Sequence, residues 1–304
     1  MINLSSPYTH EYRSVNWWRL IAGMGVTLVL GLSVHAVILQ ILHVAVPSQG
    51  IKSWLPFRLV SDITMAGGLI VFFKLVSNSA LHIKRPRITL IAFLAVCGLN
   101  ETLRGWAMNT YCTGPLASSA FFLGLMTVAN SLYYGLAFLI VVIASPKVRT
   151  FAHYVLASVI TGIVLAFLAP LLTGKIQSFF GSVFETLAPQ RGWCTLPYGA
   201  NVLIPAYLSF IEPVISTVVC AALTWRFLKG STILKLMQFT LLILALKKQL
   251  FAAFLYVVYA RTDFWLAFAS MGQFTLEAAA LGILSALTWV WSTGAIPTQP
   301  LNDH

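Results

Sequence analysis

Apolar runs of about 19–25 residues recur roughly eight times along this chain, and a helix of that length crosses the hydrocarbon core of a bilayer. They fall near Trp18–Val44, Phe57–Val76, Ile88–Met108, Leu116–Ala144, Phe151–Leu172, Val202–Trp225, Ile233–Tyr259 and Phe264–Trp291. Inside a bilayer every backbone N–H and C=O needs a partner within the protein, so runs of this kind fold as helices. The expected fold is all-α, a polytopic membrane bundle of about eight transmembrane helices. Only 9% of the 304 residues are charged, against about 25% in ordinary soluble domains, and a soluble fold could not hide so much apolar surface. The connections are short except for Thr173–Asn201, which leaves residues 1–304 to be read as a single transmembrane domain. The first run is too long for a signal-peptide core and lacks a small-residue cleavage site, so it reads as a retained anchor.

The formal net charge of +11 would suggest nucleic acid or acidic partners for a soluble protein. Here the cations cluster between the apolar runs, where they set topology. The bilayer is the expected partner, and no nucleic acid is. With a cytoplasmic N-terminus, the inner side holds Arg13, Arg19, Lys74, Lys84, Arg85, Arg87, Lys147, Arg149, Arg226, Lys229 and Lys235. The outer side holds Lys52, Arg58, Lys175, Arg191 and Arg261. That bias of about two to one follows the positive-inside rule, and an even number of spans returns the C-terminal tail, Ser292–His304, to the cytoplasm. The expected location is the inner or plasma membrane.

Cys97 and Cys220 fall inside runs, whereas Cys112 and Cys194 fall in the two connections placed outside by charge. An outer, oxidising compartment favours a Cys112–Cys194 disulfide, with two unpaired thiols as the alternative. In the long outer connection Ile176, Phe179, Phe180, Val183, Phe184 and Leu187 recur at helical spacing between Gln177, Ser178, Ser182 and Glu185. This predicts a short amphipathic helix at the membrane surface, either an interfacial strut or a lid.

Charges within the runs form a balanced set of acids (Asp62, Glu101, Glu212, Glu277) and bases (Arg58, Arg104, Lys247, Lys248). A charge at the bilayer centre costs roughly 2.5–3.5 kcal/mol on the most lenient insertion scale, so these side chains must face protein, water or one another. Helical spacing lets Arg58 meet Asp62 and Glu101 meet Arg104 in the outer half of the membrane. Glu212, Lys247, Lys248 and Glu277 belong to three helices near the midplane, either as a structural set in which the acids neutralise the lysines or as a functional one in which the lysines bind an anionic group or a carboxylate exchanges protons. Adjacent residues on a helix point about 100° apart, so the two lysines should not address one partner equally. Gln273, four residues before Glu277, together with Asn100 and Asn130, supplies amides for interhelical hydrogen bonds. Pro205 and Pro213 flank the approach to Glu212 and are positioned to interrupt its helix.

Matching positions suggest a parallel duplication of four spans each, about 1–146 and 147–304. Phe121-Phe122-Leu123 precedes Asn130 at the separation at which Phe264-Trp265-Leu266 precedes Gln273, and Pro56 and Pro205 each precede an acid, Asp62 and Glu212. His35, His43 and His153 form no facing pair, so no metal or cofactor is expected.

The stretch Asn100-Glu101-Thr102-Leu103-Arg104-Gly105 resembles the glutamate–arginine motif of membrane CAAX-type proteases. It departs from that motif: the paired glutamate is missing, the arginine is one position too close, and no later intramembrane histidine completes a metal site. The activity is therefore not carried over. The charge pattern points first to a permease- or flippase-like transporter of a small or anionic substrate. A membrane-embedded sensor, immunity or assembly factor is the alternative, and an intramembrane enzyme acting on lipid, centred on Glu101 and Arg104, is the second.

Overall fold

The computed structural model describes residues 15–44, 54–79, 85–113, 118–184, 194–259 and 263–294. The described residues contain helices and no strand: α1 (Trp17–Ala36), α2 (Trp54–Ser79), α3 (Arg85–Leu99), α4 (Thr102–Thr113), α5 (Ser118–Phe122), α6 (Ala129–Ala144), α7 (Phe151–Val183), α8 (Ala200–Ser209), α9 (Ile211–Thr224), α10 (Thr232–Leu246), α11 (Ala252–Tyr259) and α12 (Phe264–Thr293). A π-helical turn extends α1 over Val37–Ile41, and another joins α5 to α6 over Leu123–Val128. Counted across such joints, seven helices among the described residues are long and apolar enough to cross a membrane. The chain is a multi-pass integral membrane protein.

Local chemistry marks the helix ends. Asn16, Thr150, Ser231 and Asp263 each accept a hydrogen bond from a first-turn backbone N–H of α1, α7, α10 and α12 respectively, satisfying donors that a helix start leaves unpaired. Gly294 ends α12 at φ 65°, a left-handed conformation that suits glycine. The N–H of Asn16 donates to the carbonyl of Ser292 at 2.9 Å. The first and last helices therefore start and finish at the same end of the bundle, so α10 and α11, each too short to cross alone, together add a crossing to the seven.

Helices meet through small residues, the usual device where lipid removes the hydrophobic drive to associate. α1 lies along α12 and α2 along α7. A Cβ at Gly23 would come within 2.7 Å of the Thr288 side chain, and one at Gly162 within 2.6 Å of the Ile63 backbone. Thr27 and Thr288 hydroxyls add a buried hydrogen bond at 3.2 Å. The interior is a continuous apolar core that includes Met65, Leu69, Phe72, Leu99, Phe210, Phe239 and Leu281. Ile41, Phe151, Ile233, Val258 and Trp265 are each more than two-thirds exposed, as lipid-facing side chains would be.

Several expected spans take a different form. The run Ile233–Tyr259 is not one helix: α10 ends at Leu246 and α11 begins at Ala252, with Lys248 between them at φ 60°. Both pieces pack on α12, so together they follow its length. The run Ile88–Met108 is likewise split between α3 and α4, with Glu101 at φ 59°. Such a backbone costs roughly 1–3 kcal/mol in a non-glycine residue and persists only where its surroundings hold it. The run Val202–Trp225 divides at Phe210 into α8 and α9. Pro213 occupies the first turn of α9, where no N–H is needed.

The amphipathic segment that begins at Ile176 is helical to Val183, yet it is the end of α7 and not a separate surface helix. At 33 residues, α7 is about 50 Å long and overshoots a hydrocarbon core of about 30 Å. Its far end is held by Phe180, which packs where a Cβ on Gly124 would otherwise sit, and by Gln177, whose amide donates to the Leu125 carbonyl at 3.3 Å. Pro170 lies inside this helix without ending it. Glu185 and Leu187 lie outside the described residues, as do the topology cations Arg13, Lys52, Lys84, Arg191 and Arg261.

Candidate functional site

The breaks in α3/α4 and α10/α11 touch, and each helps to satisfy the other. Asn100, the residue after α3, donates through Nδ2 to the carbonyl of Leu246, the last residue of α10, at 3.3 Å, and to Val96 in its own helix at 2.9 Å. Lys247, the residue after α10, donates through Nζ to the carbonyl of Leu99, the last residue of α3, at 3.2 Å. Carbonyls at an interrupted helix end lack intrahelical partners. At membrane depth such groups must be satisfied by protein, and here the supply is reciprocal.

Charge neutralisation follows the same joint. Lys247 pairs with Glu101 at 2.6 Å, and Glu101 also holds Arg104. The Arg104 guanidinium lies over the Phe210 ring, 5.0 Å from its centroid. Glu212 accepts from the backbone N–H groups of Leu103 at 3.0 Å and Arg104 at 2.5 Å, and from the Thr102 hydroxyl at 3.4 Å. It therefore caps α4, where a carboxylate is stabilised by the positive end of the helix dipole. Lys248 turns the other way: its ammonium meets Asp62 at 2.8 Å and sits over the Tyr133 ring at 3.9 Å. The Tyr133 hydroxyl donates to the same Asp62 oxygen at 2.6 Å, while Asp62 Oδ2 is buried without a hydrogen-bond partner among the described residues.

Two cavities flank the joint. One, of about 210 Å³, is lined by Asn100, Glu101, Arg104, Lys247, Glu277 and Gln249, with His35 and Phe274 closing one wall. The other, of about 230 Å³, is lined by Arg58, Asp62, Lys248, Tyr133, Asn130 and Gln177, among others. Arg104, Lys247 and Lys248 each contact a carboxylate. Glu277 is 5% exposed and makes no ion pair among the described residues.

The pairing thus differs from the expected one. Glu101 and Arg104 do meet, from the break to the first turn of α4 and not along one helix face, but Asp62 takes Lys248 in place of Arg58, and Lys247 takes Glu101 in place of Glu212 or Glu277. The break between α10 and α11 brings Lys248 to α2, so an ammonium from another helix reaches Asp62 where Arg58 on its own helix does not pair with it. Contact between Lys247 and Glu101 also puts the third span's charges at the depth of the seventh's, not in a separate outer layer. Gln273 is fully buried and donates to the Ser270 carbonyl in α12 at 2.8 Å, and it does not line Glu277's cavity. Cys112 and Cys194 form a disulfide that ties the end of α4 to the connection before α8. Cys97 and Cys220 are free and buried.

His35, Tyr133, Gln249 and Phe274 line the cavities without having stood out as functional candidates in the sequence. Tyr133 lies one helical turn from Asn130, which was a legible signal. Among the described residues no group of three or more His, Cys, Asp or Glu side chains could hold a metal ion. Comparison with protein-family models, with curated proteins and with solved structures returns no match.

Proposed function

We propose that this chain is a permease- or flippase-like transporter of a small or anionic substrate in the inner or plasma membrane. The observation that carries the reading is the crossing of two interrupted helices beside a charged cavity within the bundle. Interrupted helices are a recurrent way to present backbone and side-chain polar groups to a substrate at membrane depth, and irregular backbone in a membrane belongs where it lines a cavity or is buried in protein. A parallel repeat of residues 1–146 and 147–304 forms part of the proposal. Leu99-Asn100-Glu101 and Leu246-Lys247-Lys248 stand at the two breaks with the same capping roles and the same positive φ at the third residue. α3 packs on α9 as α10 packs on α2. Asp62 and Glu212, the acids of the second span in each half, each serve the break of the other half. Two such halves can rock about their shared joint to expose the cavity to one side and then the other.

The test is access. A Phe274→Cys variant, with Cys97 and Cys220 replaced by alanine, is treated with a membrane-impermeant thiol reagent in right-side-out and in inside-out vesicles. An alternating-access transporter gives labelling in both preparations. Labelling in neither, in a variant that remains folded, refutes transport through this cavity and leaves a static bundle, as a sensor or assembly factor would use.

A further inference from the structure

The transport reading leaves open which substrate the cavity takes, and the following inference rests on that reading for its role but not for its binding chemistry. We propose that the cavity between the α3/α4 break and α12 binds a small zwitterion, a molecule with one ammonium and one carboxylate group.

Three observations converge. The first is charge balance. Glu101 and Glu277 face Arg104 and Lys247 around one space, so the wall sums to zero when both acids are ionised. A guest with net charge would bring an uncompensated charge into a poorly solvated site, whereas a zwitterion adds none. The second is polarity of the unmet groups. Among the described residues Arg104 Nε is buried without a hydrogen-bond partner, and Glu277, itself nine-tenths buried, has no ion-pair partner. An N–H donor of a guanidinium calls for an anionic acceptor, and a carboxylate for a cationic donor. The two stand on different elements, α4 and α12, with the cavity lying between them. The third is size. A volume of about 210 Å³ equals that of about seven liquid waters, which suits a guest on the order of seven heavy atoms and not a lipid or a nucleotide.

Glu101 and Lys247 do not compete for this guest as primary partners, since each is already engaged by the other. The zwitterion's ammonium is placed at Glu277 and its carboxylate at the Arg104 guanidinium.

The experiment uses the full chain in detergent, with melting followed as probes are added: glycine, alanine, β-alanine and γ-aminobutyrate, against acetate and methylammonium as single-charge controls. A zwitterion of matching charge separation should raise the melting temperature by several degrees at saturation, since a ligand that binds only the folded state stabilises it. Neither single-charge probe should do so, and Glu277→Gln should remove the shift. In the Phe274→Cys background the same zwitterion should slow thiol labelling, a readout that does not depend on the Gln variant folding. No shift and no protection from any zwitterion overturns the inference. So does an equal effect from acetate or methylammonium alone, or a full shift in Glu277→Gln. Flux of the labelled zwitterion into proteoliposomes separates the two claims: binding without flux keeps the inference and removes transport, while flux of another solute without zwitterion binding does the reverse.

Discussion

Replacing Lys248 by methionine should destabilise the protein strongly, and by more than replacing its partner. Asp62 is fully buried, and it holds the ammonium at 2.8 Å and the Tyr133 hydroxyl at 2.6 Å. Without Lys248 it becomes a buried carboxylate with one neutral donor. Removing one partner of a buried ion pair costs about 3–5 kcal/mol, most of it the penalty of stranding the other charge. For a chain of 304 residues that corresponds to a fall of roughly 5–8 °C in melting temperature. The reverse change, Asp62→Asn, strands a lysine whose side chain is 28% exposed beside a cavity and which keeps the Tyr133 ring, so its loss should be on the order of 1–2 kcal/mol. The double variant Asp62→Asn with Lys248→Met should recover most of the deficit, because replacing both partners leaves no stranded charge. The assay is intrinsic fluorescence melting in detergent, checked by monodisperse elution. Two results would refute the reasoning: a Lys248→Met variant melting within about 2 °C of the parent, or a double variant no better than the single one.

The close approach of α2 and α7 predicts that Gly162→Val lowers stability by about 1–3 kcal/mol through overpacking, since the added atoms meet the Ile63 backbone. Gly25→Ala and Gly174→Ala, with nothing within 4 Å of the new Cβ, are the controls, and equal melting of all three variants would count against the packing. Non-reducing mass spectrometry should find the Cys112 and Cys194 peptides linked; free alkylation of both in native membranes would contradict the bridge. A cysteine at Lys229 should label only from the cytoplasmic side and one at Lys175 only from outside, and the opposite pattern would invert the topology.

The rough extent of most membrane runs was legible because hydropathy reports composition along the chain. Of the roughly eight expected, seven stand among the described residues as helices long and apolar enough to cross, and the run Ile233–Tyr259 is broken into the shorter α10 and α11. The breaks were legible only in part. Pro205 and Pro213 bracket the α8/α9 joint, where the chemistry of proline announces an interruption. The segment Leu246–Phe251 contains neither proline nor glycine, so nothing local marks the end of α10. That break is supported by tertiary partners, Leu99 and Glu101 for Lys247 and Asp62 for Lys248, which are distant in sequence. The same blindness affected the pairing. Position along a run gives depth, but not the direction a side chain faces once its helix is packed and bent. Lys247 and Lys248 were correctly expected to diverge, while their acids were misassigned. The extension of α7 was hidden for another reason: polar residues after Leu172 read as the end of a span, although a helix can leave the hydrocarbon and continue where side chains such as Phe180 find an interhelical notch.

The reciprocal caps at the two breaks act as an interlock. Drawing α10 away from α3 removes the Asn100 donor from the Leu246 carbonyl and the Lys247 donor from the Leu99 carbonyl in one movement. Each bare carbonyl at that depth carries a desolvation penalty of about 1–3 kcal/mol, so a partly parted joint suffers both penalties and gains neither remedy. Water entering the parted joint could satisfy both carbonyls at once. The joint should therefore be found either closed and dry or open and wet, with intermediate separations sparsely populated, and any solute that reaches Glu277 through it would meet a gate with two positions instead of a continuously yielding channel.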